Sequence, residues 1–315
     1  MRVLLVHNPE SGEQRQDSDT LLTLIRGAGH EVRPWSMKNP DFERVLDDDV
    51  DLVVAAGGDG TVRSVASALV GRGLPLTILP LGTANNIASS MGIGGDPESL
   101  VASWASAVRR AADVGVASAP WGESHFFESV GIGLVADVLR TERSSSSPVV
   151  QGALRESKVR SGRELFSDVL SGLAPREAKV TIDGRTLKGD YLLVAVMKAR
   201  SIGPNLVLAP AAKVDDGQLH VVLVSDTERQ RLLRALAGDA DASATEGELP
   251  SFTARQVSIE WHGDLAHLDD ELWPEPRSLE SPGDASPISA GALHRVDVSI
   301  LPGALEVLVP RTGVR

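Results

Sequence analysis

Asp51-Leu52-Val53-Val54-Ala55-Ala56-Gly57-Gly58-Asp59-Gly60-Thr61 is the stretch that decides how this chain is read. The apolar run Asp51–Ala56 predicts a strand, and Val62–Val70 predicts the helix after it. A glycine run between the two lets the backbone approach a phosphate closely, and the helix N-terminus behind it offers free N–H groups and a partial positive charge. Thr61 can cap that helix or bond a phosphate oxygen. Asp59 would repel phosphate in a loop that binds only anions; it makes sense there if it meets Mg²⁺, directly or through water. The alternative is a tight turn in which Asp59 merely caps a helix.

Outward from this stretch the same grammar repeats. Arg2–Val6 is a short apolar strand; it is too short for the core of a signal peptide. Asp19–Ala28 places Leu21, Leu22, Ile25 and Ala28 on one helical face before Gly29, and Glu31–Trp35 follows as a strand. Pro75–Pro80 is an apolar strand that runs into Gly82-Thr83-Ala84-Asn85-Asn86, with a helix to Met91 and another predicted over Pro97–Arg110. Strand–loop–helix repeated in this way predicts a parallel sheet covered by helices. The loops after the strands, including Asn8-Pro9-Glu10-Ser11-Gly12, then converge on one crevice at the strands' carboxyl ends.

Near Asp113 the pattern changes to β. Ala178–Ile182, Asp183-Gly184 and Arg185–Leu187 read as a hairpin with a tight turn. Tyr191–Met197, Gln218–Val224, Gln256–Trp261, Val296–Leu301 and Ala304–Val309 are further strands of a mostly antiparallel sandwich or barrel. Two segments interrupt it. Thr141–Arg176 holds the serine run Ser144–Ser147 and a basic stretch with Arg155, Lys158, Arg160 and Arg163; Glu275–Gly291 is rich in Pro, Ser and Gly.

The 315 residues suggest two domains, and 42% hydrophobic with 23% charged residues is ordinary for a globular protein. Aromatics are scarce at 3%, so the core is aliphatic. A net charge of −12 argues against a nucleic-acid partner. The chain has no cysteine, which excludes disulfides and thiolate chemistry and fits a cytoplasmic location. No apolar run approaches the roughly 20 residues that span a bilayer.

Asn8-Pro9 with Ser11-Gly12, then Gly57-Gly58-Asp59-Gly60-Thr61, then Leu79-Pro80-Leu81-Gly82-Thr83 with Asn85 follow one another in an order and spacing that resemble the nucleotide-binding signature of the diacylglycerol kinase / sphingosine kinase family. The Gly-Gly-Asp-Gly-Thr element alone is shared with NAD kinases; the full set is far more specific. Asp113-Val114-Gly115, Phe126-Phe127, Gly131-Ile132-Gly133, Ala209-Pro210-Ala211 with Asp215-Asp216-Gly217, and Leu301-Pro302-Gly303 extend the resemblance over nearly the whole chain. It implies an α/β + β fold: an N-terminal α/β nucleotide-binding domain over 1–115, a C-terminal β-sandwich lipid domain over 116–303, a final strand near 304–315 that rejoins the first domain, and an active-site cleft between the two. It implies ATP as phosphate donor and Mg²⁺ as cofactor, with Asn8, Pro9, Ser11, Gly57, Gly58, Asp59, Gly60, Thr61, Gly82, Thr83 and Asn85 around the nucleotide.

The family's Asp-Gly-Glu element matches Asp269-Asp270-Glu271, with Asp270 in place of the glycine. The resemblance implies Asp269 as general base, with Glu271 supporting it or the metal, and Asp59 as a rival base. On an extended segment positions 269 and 271 face the same side. Asp215 and Asp216 are candidate ligands of a structural Mg²⁺ or simply a β-turn before the next strand. Asn86 stands where relatives carry aspartate, and Lys198 near where they carry asparagine. The implied acceptor is a lipid hydroxyl, reached at a membrane surface through peripheral contact of the 140–179 segment. Two competing readings are a catalytically silent nucleotide- or lipid-binding protein of the same fold and an NAD kinase-like small-molecule kinase.

Overall fold

The structure, a computed structural model, describes residues 1–8, 18–36, 39, 42–46, 49–144, 155–237, 249–263, 265–274 and 291–311. The first part alternates β1 (Arg2–His7), α1 (Ser18–Gly27), β2 (Glu31–Ser36), α2 (Phe42–Val45), β3 (Leu52–Gly57), α3 (Asp59–Leu69), β4 (Leu76–Pro80), α4 (Asn86–Ser90) and α5 (Pro97–Ser103). The strands pair in parallel in the order β4-β3-β1-β2. All six residues of β3 are buried, as a strand covered on both faces requires. Leu21, Leu22 and Ile25 of α1, and Val62, Val65, Ala66 and Leu69 of α3, supply the apolar stripes that pack in the same core. Each fully buried Val or Leu contributes roughly 1.5–3 kcal/mol relative to exposure. β1, β3 and β4 all end on one edge of the sheet, where the Asn8 N–H reaches the Ala56 carbonyl and the Leu81 N–H the Gly57 carbonyl.

The helix expected over Pro97–Arg110 is shorter. Asp96 caps α5 through the Ser99 N–H at 2.9 Å, the helix stops at Ser103, and Val108–Ala119 is β5. Long-range pairing overrides local helix propensity here, because β5 runs antiparallel to β17 (Leu293–Val309) from Val108 to Ser118. The intervening elements are β6 (Gly122–Phe126), β7 (Ser129–Gly133), α6 (Leu134–Ser144), α7 (Arg155–Gly172), β8 (Arg176–Ile182), β9 (Arg185–Met197), β10 (Ser201–Ile202), β11 (Leu206–Val207), β12 (Leu219–Ser225), α8 (Arg229–Ala237), β13 (Ser251–Ala254), β14 (Gln256–His262), β15 (Ala266–Leu268) and β16 (Glu271–Trp273). Strands β16-β15-β7-β9-β8-β14-β17 form the sandwich, with antiparallel neighbours throughout. The β8–β9 hairpin turns at Asp183 and Gly184, both at positive φ, as the Asp-Gly pair predicts.

Val296–Leu301 and Ala304–Val309, expected as two strands, are one: β17 continues through an irregularity between Leu301 and Leu305. Its second half pairs in parallel with β4 at Val307, and Thr77 Oγ1 donates to the Leu308 carbonyl at 2.9 Å. β5 and β17 therefore carry the backbone from the α/β layer into the sandwich as one continuous sheet.

Candidate active site

The two glycine loops touch backbone to backbone. A Cβ placed on Gly82 would lie 2.4 Å from Gly58 Cα, so neither loop can come this close with a larger residue at Gly82. Gly58 is the N-cap of α3, and its side-chain-free position leaves the first N–H groups of that helix uncovered by any cap side chain. Thr61 is buried inside the first turn against Gly57, whose added Cβ would meet Thr61 Oγ1 at 2.4 Å. Asn85 sits at φ 56 and spends its amide on its own loop: Oδ1 accepts from the Gly82 N–H and Nδ2 donates to the Gly82 carbonyl, both at 2.9 Å. It shapes the Gly82-Thr83 turn. Pro9 and Ser11 lie outside the described residues; Asn8 stands at the end of β1 beside the glycine loops.

Asp59 opens α3 and reaches across to α4, where Oδ1 accepts the Ile87 N–H at 3.0 Å and Oδ2 the Asn86 N–H at 3.1 Å. It caps a helix, but α4 rather than its own. Burial raises its pKa against the pull of these amides, and the Asp270 charge adds to the rise. Asn86 is buried, with Oδ1 accepting from Ser201 Oγ at 2.7 Å and Nδ2 donating to the Gly203 carbonyl at 3.0 Å, so it ties α4 to β10.

Asp269 arrives from the sandwich. It occupies the turn between β15 and β16 at φ 52, and only 4% of it is exposed. Its Oδ1 accepts the N–H groups of Phe127, Glu128 and Ser129 at 3.1, 2.7 and 3.1 Å; among the described residues Oδ2 accepts the Phe127 N–H alone, at 3.2 Å. Burial pushes its pKa up to about 7, against those amides and the Arg63 guanidinium. The expectation that Asp269 and Glu271 share a face fails because the segment turns between them: Asp269 is buried, and Glu271 is half-exposed and ion-paired with Arg63 of α3. The left-handed conformation falls on Asp269 and not on Asp270, so a side chain in place of the family's glycine strains nothing there. Asp270 leans over the start of α3, where an added Gly60 Cβ would lie 3.4 Å from its Oδ2.

Two site residues escaped the sequence reading. Glu128 is buried between the domains, and its pKa is raised well above the ordinary value by burial and by the charges of Asp59, Asp269 and Asp270. An acid inside the apolar run Phe126-Phe127-Glu128-Ser129-Val130 was the signal available. Arg63, one turn after Asp59, joins α3 to the β15–β16 turn through Glu271 and approaches Asp270 at 4.0 Å. His267 is fully buried next to this turn; Nε2 contacts Ser129 Oγ at 3.1 Å, and burial lowers its pKa to about 3, so it is neutral.

Asp215 and Asp216 do not converge on one point. Asp215 lines a separate cavity with Ser90, Arg110, Arg200 and Lys213. Asp216 faces Lys198 Nζ at 3.3 Å and His220 Nε2 at 2.9 Å; despite its burial, these neighbours hold its pKa below the usual carboxylate value.

The model of the diacylglycerol kinase catalytic domain matches residues 2–117, and that of the YegS C-terminal NAD kinase beta sandwich-like domain matches residues 163–309. The chain belongs to the diacylglycerol kinase-like family of lipid kinases. Among this lipid kinase's relatives, "Probable lipid kinase YegS-like" of Klebsiella pneumoniae is 29% identical over 71% of this chain and 74% of its own. "Diacylglycerol kinase" of Mycobacterium tuberculosis is 26% identical over 84% of this chain and 78% of its own. A Bacillus anthracis diacylglycerol kinase crystal structure shares the fold of the whole lipid kinase chain, with a TM-score of 0.70 at 21% identity, covering 99% of this chain and 98% of that one. Yeast NADH kinase complexed with NADH shares it more distantly, at TM-score 0.54 and 10% identity.

Proposed function

We propose that this chain transfers the γ-phosphoryl group of ATP, bound with Mg²⁺, to the hydroxyl of a lipid of diacylglycerol-like or sphingoid type. The observation that carries the reading is the meeting of two halves: glycine loops and Asp59 from the α/β layer, Asp269 and Glu128 from the sandwich, with Glu128 within reach of the charges of both Asp59 and Asp269. Phosphoryl transfer asks the protein for positioning and charge compensation more than for covalent chemistry. The Gly58–Gly82 contact provides backbone without side chains, and the start of α3 provides N–H groups and a positive dipole end for phosphate oxygens.

The acids fit a cation that arrives with the nucleotide. Burial raises the pKa of Glu128, and the charges of Asp59 and Asp269 raise it further, a concentration of buried acids, yet no group of three metal-ligating side chains is found among the described residues. Asp59 and Glu128 would hold the ion together with nucleotide phosphates, and the ion would neutralise charge on those phosphates. Asp269 is fixed by three amides on Oδ1, which leaves Oδ2 to accept the proton of the acceptor hydroxyl. Arg63 holds Asp270 and Glu271 and so sets the β15–β16 turn against α3. Lys158 and Arg160 on α7 offer positive charge for a peripheral contact with anionic lipid on the inner face of a membrane.

One observation favours a second reading, nucleotide binding without turnover: Asp270 places a carboxylate over the start of α3, where phosphate is expected. γ-Labelled ATP with Mg²⁺ and a panel of diacylglycerol, monoacylglycerol, sphingosine, ceramide and phosphatidylglycerol separates the two. Label in one extracted lipid supports transfer; bound nucleotide with no labelled lipid supports the silent binder.

A further inference from the structure

Lys198 directly follows β9, and it is 2% exposed. Its Nζ is surrounded by four oxygen atoms: the Gln218 carbonyl at 2.9 Å, the Lys213 carbonyl at 3.1 Å, Asp113 Oδ2 at 3.1 Å and Asp216 Oδ1 at 3.3 Å. An ammonium has three protons and cannot make four full hydrogen bonds. The oxygens are arranged around a point of positive charge. Two carboxylates and two carbonyls are also the donor set that hard divalent cations prefer.

The donors are held by partners other than the lysine. Asp113 Oδ2 accepts the Gly217 N–H at 2.8 Å and its Oδ1 the Gly303 N–H at 3.0 Å. Asp216 Oδ1 accepts the Gln218 N–H at 3.0 Å and its Oδ2 contacts His220 Nε2 at 2.9 Å. The Asp113 N–H donates to the Val214 carbonyl at 2.7 Å, closing the 213–218 turn onto β5. The cage therefore has its shape fixed by backbone bonds, and Lys198 contributes its charge.

We propose that Lys198 is a tethered cation filling a site built for a divalent metal ion, so that removing its side chain uncovers a latent Mg²⁺ or Ca²⁺ site. In the protein as it stands the junction of β5, β9, β17 and the 213–218 turn is then fixed without any free ion. The consequence reaches the acidic cleft, because the Lys198 N–H donates to the Glu128 carbonyl at 2.8 Å and the Glu128 N–H donates to Asp269. This inference is independent of which acceptor is phosphorylated.

The test is the thermal unfolding midpoint of the full chain without nucleotide, in EDTA and in saturating MgCl₂ or CaCl₂, together with calorimetric titration of each ion. The unaltered chain should have the same midpoint in all three solutions. Lys198→Ala should lose about 10 °C in EDTA, as expected when a buried charge partner is removed, and regain at least about 5 °C with one of the ions at one-to-one stoichiometry. Lys198→Ala combined with Asp216→Ala should show no recovery. Lys198→Ser is measured beside Lys198→Ala to allow for poor folding of one variant. If neither variant responds to either ion, folded or unfolded, the proposal is overturned. It is equally overturned if the unaltered chain binds an ion whose effect disappears in Asp216→Ala.

Discussion

The Glu128 N–H donates to Asp269 Oδ1 at 2.7 Å, while the Glu128 carboxyl lies in the same buried space, where burial and then the charges of Asp59 and Asp269 raise its own pKa. Two neighbours thus act on Asp269 with opposite sign: the Glu128 amide favours the carboxylate, and the Asp270 charge opposes it. If Asp269 is the base, turnover must need its deprotonated form. The rate at saturating substrates should rise about tenfold per pH unit below pH about 7 and level off above it, and Asp270→Asn, which removes a charge that raises the Asp269 pKa, should move that rise to lower pH. A pH–rate profile of both proteins checks this.

Stability should run the other way. The folded chain keeps a proton on Asp269 up to about pH 7, whereas an unfolded aspartate releases it near 3.8. This contribution is complete below pH about 4 and is lost as pH rises to 7, at up to about 1.4 kcal/mol per pH unit. Glu128 adds a contribution of the same sign. Urea unfolding of Asp269→Asn at pH 5, 6 and 7 should show a flatter dependence than the unaltered chain.

Asp59 combines a cap with a charge. Asp59→Ala removes the acceptor for the Asn86 and Ile87 N–H groups and should cost about 1 kcal/mol of stability besides turnover. Asp59→Asn retains an acceptor oxygen and should keep most of the stability while turnover falls at least about a hundredfold. Thermal unfolding and initial rates of the two variants separate the roles.

Asp270 should weaken nucleotide binding. Its carboxylate next to Gly60 opposes phosphate at the start of α3, so Asp270→Gly should tighten ATP binding by about three- to tenfold, corresponding to about 1 kcal/mol of relieved repulsion. Calorimetric titration with ATP and Mg²⁺ measures it directly; unchanged affinity would place the phosphates elsewhere.

Local signals made the α/β half readable. The run Leu52–Ala56, the glycines at 57, 58 and 82, and the stripes Leu21-Leu22-Ile25 and Val62-Val65-Ala66 each specify their element without reference to distant residues. β5 was not readable, because what makes Val108–Ala119 a strand is its pairing with β17, far along the chain. The same holds for the site. Asp269 stands out as an acid in a family-like element, but its separation from Glu271 depends on a turn whose left-handed residue the sequence does not mark. Arg63 looks like any exposed helix residue until the β15–β16 turn reaches it. Lys198 stands near where relatives carry asparagine, and only the fold brings Asp113 and Asp216 around it.

If Asp269 accepts the proton of a lipid hydroxyl as phosphate is transferred, removing its charge should stop transfer without loosening ATP. The direct measurement is transfer of label from γ-labelled ATP into extracted lipid by the unaltered chain and by Asp269→Asn, with ATP binding measured on both. The unaltered chain should yield a labelled lipid, and Asp269→Asn should lose at least about a thousandfold in transfer with ATP affinity within about twofold. Transfer by Asp269→Asn at the unaltered rate would contradict it.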